Sequence, residues 1–96
     1  MSKKTRSLFL KRIPLEIMLN LYRNPGEQYT AAKLSREMES VYAHVSKTVG
    51  KLESAGLVER KHVGRSKFIS LTENGEALAD SLDSTVRMFE VTVSEE

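Results

Sequence analysis

Two stretches of this chain concentrate groups that could meet a polyanion. Residues 41–72 carry six basic and two acidic groups, a net +4: Lys47, Lys51, Arg60, Lys61, Arg65 and Lys67 against Glu53 and Glu59. Residues 1–12 carry five basic groups and no acid, a net +5. The balance reverses elsewhere, with −1 over residues 13–40 and −6 over residues 73–96, so the overall +2 conceals a segregation of charge. Clustered lysine and arginine neutralise phosphates, and release of the condensed counterions drives nucleic-acid binding. Solvated faces that happen to segregate would give the same counts.

Other chemistries find little support. His44 and His62 are the two histidines and there is no cysteine, which excludes disulfides and thiolate metal sites. The five glycines are scattered and form no phosphate-cradling loop. Glu37 with Glu39, and Asp80 with Asp83, read as solvated helix faces without a general-acid setting. Met18, Met38 and Met88 read as core. These features point away from an enzyme, and no cofactor is expected. No apolar run approaches the ~20 residues of a membrane span. Leu8-Phe9-Leu10 is too short for the apolar region of a signal peptide. The expected location is the cytoplasm, on the nucleoid, and the 96 residues fit one compact domain.

The elements that would position the cations follow from periodicity. Residues 13–24 read as a helix, with Ile13, Ile17, Leu21 and Tyr22 at three- and four-residue returns, Pro14 in the first turn and Asn24-Pro25-Gly26 as the stop. Gln28-Tyr29 suits a very short strand, and Thr30 a cap for a second helix over residues 31–38. A third helix is expected over about 41–55, capped by Ser40, with Val41, Val45, Val49 and Leu52 turned inward and Gly56 as its left-handed stop. Residues 57–63 and 67–71 read as a hairpin turning at Gly64-Arg65-Ser66. Thr72 opens the last helix, with Glu73 and Glu76 near its positive end.

Helix, helix, turn, helix, hairpin and helix is a winged helix-turn-helix order, an α+β fold that is mainly α. Three segments give it a family character: Leu34-Ser35-Arg36-Glu37-Met38, Val45-Ser46-Lys47, and Leu52-Glu53-Ser54-Ala55-Gly56-Leu57-Val58-Glu59-Arg60. In spacing and type they resemble the core of MarR-type winged-helix regulators, and much of the pattern is shared with PadR- and ArsR-type proteins. Leu71-Thr72-Glu73-Asn74-Gly75 resembles the family's Leu-Thr-x-x-Gly junction after the wing. The chain departs from the pattern at Glu39-Ser40, where the family has glycine and an apolar residue, and at Val41, where a serine often caps the recognition helix.

An α-helix fits the major groove and its side chains reach base edges. With the apolar stripe inward, Tyr42, Ala43, Ser46, Lys47 and Gly50 face outward, flanked by His44 and Lys51, and no acid intervenes before Glu53. Gly50 either permits close approach to a groove or is a tolerated loss of helix propensity of ~1 kcal/mol. The resemblance implies a wing over about 58–71 with Arg65 at its tip entering the minor groove. Arg60, Lys61 and Lys67 then suit phosphates, which hold register without reading sequence.

The expected organisation is a basic arm over 1–12, a DNA-binding domain over 13–72 and a dimerisation helix over 73–96. Leu78, Leu82, Val86 and Phe89, with Val93, form one apolar stripe along that helix. The stripe either pairs with a second copy, presenting two recognition helices one DNA turn (~34 Å) apart, or packs on the first helix of its own chain. The expected function is a homodimeric, sequence-specific regulator on duplex DNA. A nonspecific chromatin-like binder and a protein-binding winged helix stand as alternatives. Little chain remains to form a small-molecule effector region.

Overall fold

The three- and four-residue returns of the first apolar segment become helix α1, Arg12–Arg23, in a computed structural model that describes residues 12–94 and the side chains of residues 12–90. The basic arm falls almost wholly outside the described residues, as does the side chain of Val93. Ile13, Ile17, Met18 and Leu21 are buried, and the helix stops before Asn24-Pro25. Helix α2, Ala31–Glu37, opens at Thr30, whose hydroxyl accepts the Lys33 N–H at 3.1 Å. Leu34 is its fully buried anchor.

Helix α3, Tyr42–Ser54, buries Val45, Val49 and Leu52 completely. Val41 is not in that stripe: it is 72% exposed. It occupies the N-cap with extended backbone, φ −66° and ψ 129°, and a residue outside the helical geometry does not share the helix's four-residue register. Nor does Ser40 cap the helix. Its hydroxyl accepts from Arg12 Nη2 at 3.1 Å and donates to the Met38 carbonyl at 3.2 Å, tying the α2–α3 turn to α1. The turn itself passes through Glu39 at φ 51°, a left-handed conformation for a non-glycine residue.

Gly56, at φ 77°, ends α3 in the left-handed region that suits glycine, and the Leu57 N–H returns to the Leu52 carbonyl. Strands β1, Val58–Val63, and β2, Ser66–Leu71, pair antiparallel with Val58 opposite Leu71 and Val63 opposite Ser66. Gly64 takes φ 62° at the first of two loop residues, the pattern of a II′ hairpin turn. The short strand expected at Gln28-Tyr29 is a single bridge between Tyr29 and Ile69, whose N–H reaches the Tyr29 carbonyl at 2.8 Å. Burial pushes the Tyr29 phenol up to about 12.

Helix α4, Glu73–Ser94, starts where Thr72 stitches three segments together. Its hydroxyl donates to the Gly56 carbonyl at 2.6 Å and accepts the Gly75 N–H at 3.0 Å, and its N–H reaches the Leu57 carbonyl at 3.1 Å. Gly75 is dictated by contact, because a Cβ there would lie 1.9 Å from the Leu57 carbonyl oxygen. Helix α4 then lies along α1, with Ala79 in the core and Leu78 and Leu82 packed against it.

Asp83 corrects the solvated-face reading. It is buried, accepts from Arg23 Nε at 2.5 Å and from Arg87 Nε at 2.8 Å, and ties α4 to α1. Hydrogen bonds from Arg87 and Arg23 hold its carboxyl below the usual aspartate range. Asp80 accepts the Tyr22 hydroxyl at 2.5 Å. Met88 is 72% exposed and not core. Among the described residues no helix is long and apolar enough to cross a membrane.

Candidate nucleic-acid interface

The core places the solvent face of α3 beside the hairpin. With Val45, Thr48, Val49 and Leu52 buried, the helix shows Tyr42, Ala43, His44, Lys47 and Lys51 to solvent, and Ser46 is half-buried. Thr48 turns inward and donates to the His44 carbonyl at 2.9 Å. Arg65 is exposed in the two-residue loop, so it does stand at the tip of the hairpin.

Cross-strand pairs share a face, and this sorts the wing's cations. Val58 with Leu71, Arg60 with Ile69 and His62 with Lys67 face one side, while Lys61 with Phe68 and Val63 with Ser66 face the other. Arg60 therefore lies under the wing on the side of Val58, and Lys61 does not. A notch of about 480 Å³ opens between α3 and the hairpin, and Tyr42, Ser46, Arg60, Arg65 and Lys67 are among its walls. These five site residues are thus brought together. Ala43, His44, Lys47 and Lys51 lie on the adjoining helix surface.

Arg60 differs from the other cations. Its Nη2 donates to the Ser46 carbonyl at 3.3 Å, and its Nε stands 3.7 Å from Glu53 Oε1, buried and without a hydrogen bond. It straps β1 to α3 and is already partly neutralised. A Cβ at Gly50 would stand 3.6 Å from Arg60 Nη2, an ordinary contact, so the strap does not require a glycine there. Period-two alternation from buried Val58 is the sequence signal for this placement. The charge count alone cannot separate Arg60 from Lys61.

The proposed interface stripe divides. Leu78 and Leu82 pack on the core of their own chain, as the second reading of the stripe had it. Val86 is half-buried and lines a groove of about 590 Å³ with Leu15, Leu19 and Met38, rimmed by Arg12, Arg23, Glu16 and Glu39. Phe89 is 70% exposed. Among the described residues no group of three or more His, Asp or Glu is placed to hold a metal ion.

A helix-turn-helix whose third helix and following hairpin share one cationic notch defines a winged-helix protein. The chain belongs to the DUF6293 C-terminal winged helix domain family, which it matches over residues 14–83. An uncharacterized protein of Archaeoglobus fulgidus is 28% identical over 85 residues, covering 86% of this chain and 90% of that one. A crystallised Archaeoglobus fulgidus protein superposes with a TM-score of 0.77 at 27% identity, over 92% of this chain and 98% of that chain. The fold is also that of MarR-family regulators. One from Silicibacter pomeroyi gives a TM-score of 0.76 at 22% identity, over 94% of this chain and 65% of that chain. MepR, a transcription regulator of the Staphylococcus aureus efflux pump MepA, gives 0.75 at 23% identity, over 98% and 71%. The MarR-type resemblance of the sequence therefore holds at the level of the fold.

Proposed function

We propose that this protein is a transcriptional regulator that binds specific duplex DNA sequences as a homodimer. The observation that carries the proposal is the notch between α3 and the wing that gathers Arg60, Arg65 and Lys67 beside Tyr42 and Ser46, with Arg60 strapping the wing to α3 and Lys47 exposed on the adjoining helix surface. On this reading α3 enters the major groove and Tyr42, Ser46 and Lys47 meet base edges. Lys51 and Lys67 hold phosphates, and Arg65 reaches the minor groove or the backbone. The exposed acids of α4 lie on surface turned from DNA, and the protein acts in the cytoplasm on the nucleoid.

Binding to a random-duplex pool at two salt concentrations tests this. Enriched two-fold sequences are expected. Lys47→Ala and Arg65→Ala should each weaken binding while leaving the fold intact. Loss of one phosphate contact lowers the log–log salt slope by about 0.9. Equal affinity for every sequence would instead support a nonspecific binder. No binding even at low salt would support a protein-binding winged helix.

The dimer half of the proposal rests on the exposed Phe89 and on the groove floored by Leu15, Leu19, Met38 and Val86. A second copy would bury this apolar surface and present two recognition helices to a two-fold site. Leu82→Asp is a poor probe because Leu82 belongs to the core cluster. Phe89→Asp should yield folded monomers on a sizing column, and an unchanged dimer would refute this interface.

A further inference from the structure

Among the described residues the large apolar side chains left exposed are Val41, Val63, Tyr42, Met88 and Phe89, and two of these five open the recognition helix. Val41 is the anomaly. It is 72% exposed, occupies an N-cap position and makes no side-chain cap hydrogen bond. A Ser, Thr, Asp or Asn there would stabilise the helix by ~1 kcal/mol. At two other helix N-termini Thr30 and Thr72 each use a hydroxyl to accept a backbone N–H. Valine at this place neither packs in the core nor caps. It offers two methyl groups to solvent at the end of α3 that leads into a groove.

We infer that Val41 is a specificity-determining residue that packs against the C5-methyl group of a thymine in the major groove. The inference rests on the DNA reading above and goes beyond it, because it fixes one base of the recognised sequence. The chemistry favours this occupant. Thymine is the base that presents a methyl group in the major groove, and apolar side chains read it by contact. Exposed Arg65, on the same notch as Tyr42, supplies charge that draws a phosphate backbone, not an apolar protein surface, to this end of α3, and exposed Lys47 and Lys51 extend that charge along the helix. Tyr42, 55% exposed and on the wall of the notch, flanks the same position.

Deoxyuridine lacks only that methyl group, so it isolates the contact. Each thymine of the sequence enriched from the random pool is replaced in turn by deoxyuridine, and binding of the full chain is measured. One thymine per half-site should weaken binding about fourfold when its methyl is removed, the effect of one buried methyl-sized group. Val41→Ser should bind the thymine and deoxyuridine sites equally and melt at an unchanged or higher temperature. Val41→Ala, which brings no new hydrogen-bonding group, should also lose the discrimination. Lys47→Ala should weaken both sites and keep the fourfold difference between them. An enriched site without thymine, indifference to every deoxyuridine, or a methyl effect that survives in both Val41 variants overturns the inference while leaving DNA binding standing. Absence of any DNA binding overturns both.

Discussion

Helices α3 and α4 begin in opposite ways. At the start of α4, Thr72 supplies a side-chain cap, its hydroxyl and N–H tie down the Gly56 and Leu57 carbonyls, and Gly75 has no Cβ because the Leu57 carbonyl occupies that space. At the start of α3, Val41 offers no cap and Glu39 holds a left-handed φ of 51°. One helix start obeys the local rules of initiation and the other breaks them twice within three residues. Sequences that specify a fold agree with local preference nearly everywhere, and departures collect where a surface has another task. The start of α4 is a joint between core, wing and last helix. The start of α3 adjoins the surface proposed to meet DNA.

The strongest attack on this contrast is Gly75→Ala. Backbone lies on both sides of the 1.9 Å approach, so no rotamer change can relieve it and α4 must move off the wing. We expect a loss of about 3 kcal/mol, the upper end of overpacking costs. For a domain of this size that lowers the melting temperature by roughly 15 °C. A near-neutral substitution would show that the joint yields more easily than its close contact implies.

Thr72→Ala comes next. It removes the cap from the Gly75 N–H and leaves the Gly56 carbonyl without its 2.6 Å donor. A loss of about 1–2 kcal/mol is expected by thermal or denaturant unfolding. The mirror experiment at the start of α3 is Val41→Ser, which should gain up to ~1 kcal/mol in the same assay. Opposite signs at the two N-caps would sharpen the comparison. The same sign at both would break it.

The two helix starts also differ in how well sequence exposes them. At the α4 joint the cap is legible, since Thr72 reads as the residue that opens the helix and does cap it, whereas the close approach that requires glycine at 75 appears only in the structure. The strictly periodic positions, Leu34, Val45, Val49 and Leu52, are legible too, because burial enforces their spacing. The start of α3 is not legible in the periodicity. Val41 lies four residues before Val45, so the periodicity extends one turn too far, and valine itself does not signal a cap; only the family pattern, with a serine often capping at this position, marks the boundary. Arg60 and Asp83 are hidden for a related reason. Counting charge treats ionised groups alike, whereas partners brought close by the fold set their roles, as Arg23 does for Asp83 from 60 positions away. The alternation of β1 places Arg60 where its charge cannot.

The smallest expected effect lies at Glu39. A non-glycine residue in the left-handed region costs about 1–2 kcal/mol, and glycine removes that cost. Glycine also enlarges the conformational entropy of the unfolded chain, which returns about 0.5–1 kcal/mol. Glu39→Gly should therefore stabilise by about 0.5 kcal/mol, a rise of roughly 3 °C in melting temperature. At Gly56 the same reasoning runs backwards: φ 77° is glycine's to hold, and Gly56→Ala should destabilise although no atom stands within 4 Å of the added Cβ. The pair isolates backbone conformation from packing, since Glu39 is exposed and the space beside Gly56 is open. If Glu39→Gly stabilises and leaves DNA affinity unchanged, the strain at that turn is a stability cost separable from recognition. If it stabilises but weakens DNA binding, the strained turn is what aims α3, and Glu39 joins Val41 as a residue held against its local preference for the sake of the interface.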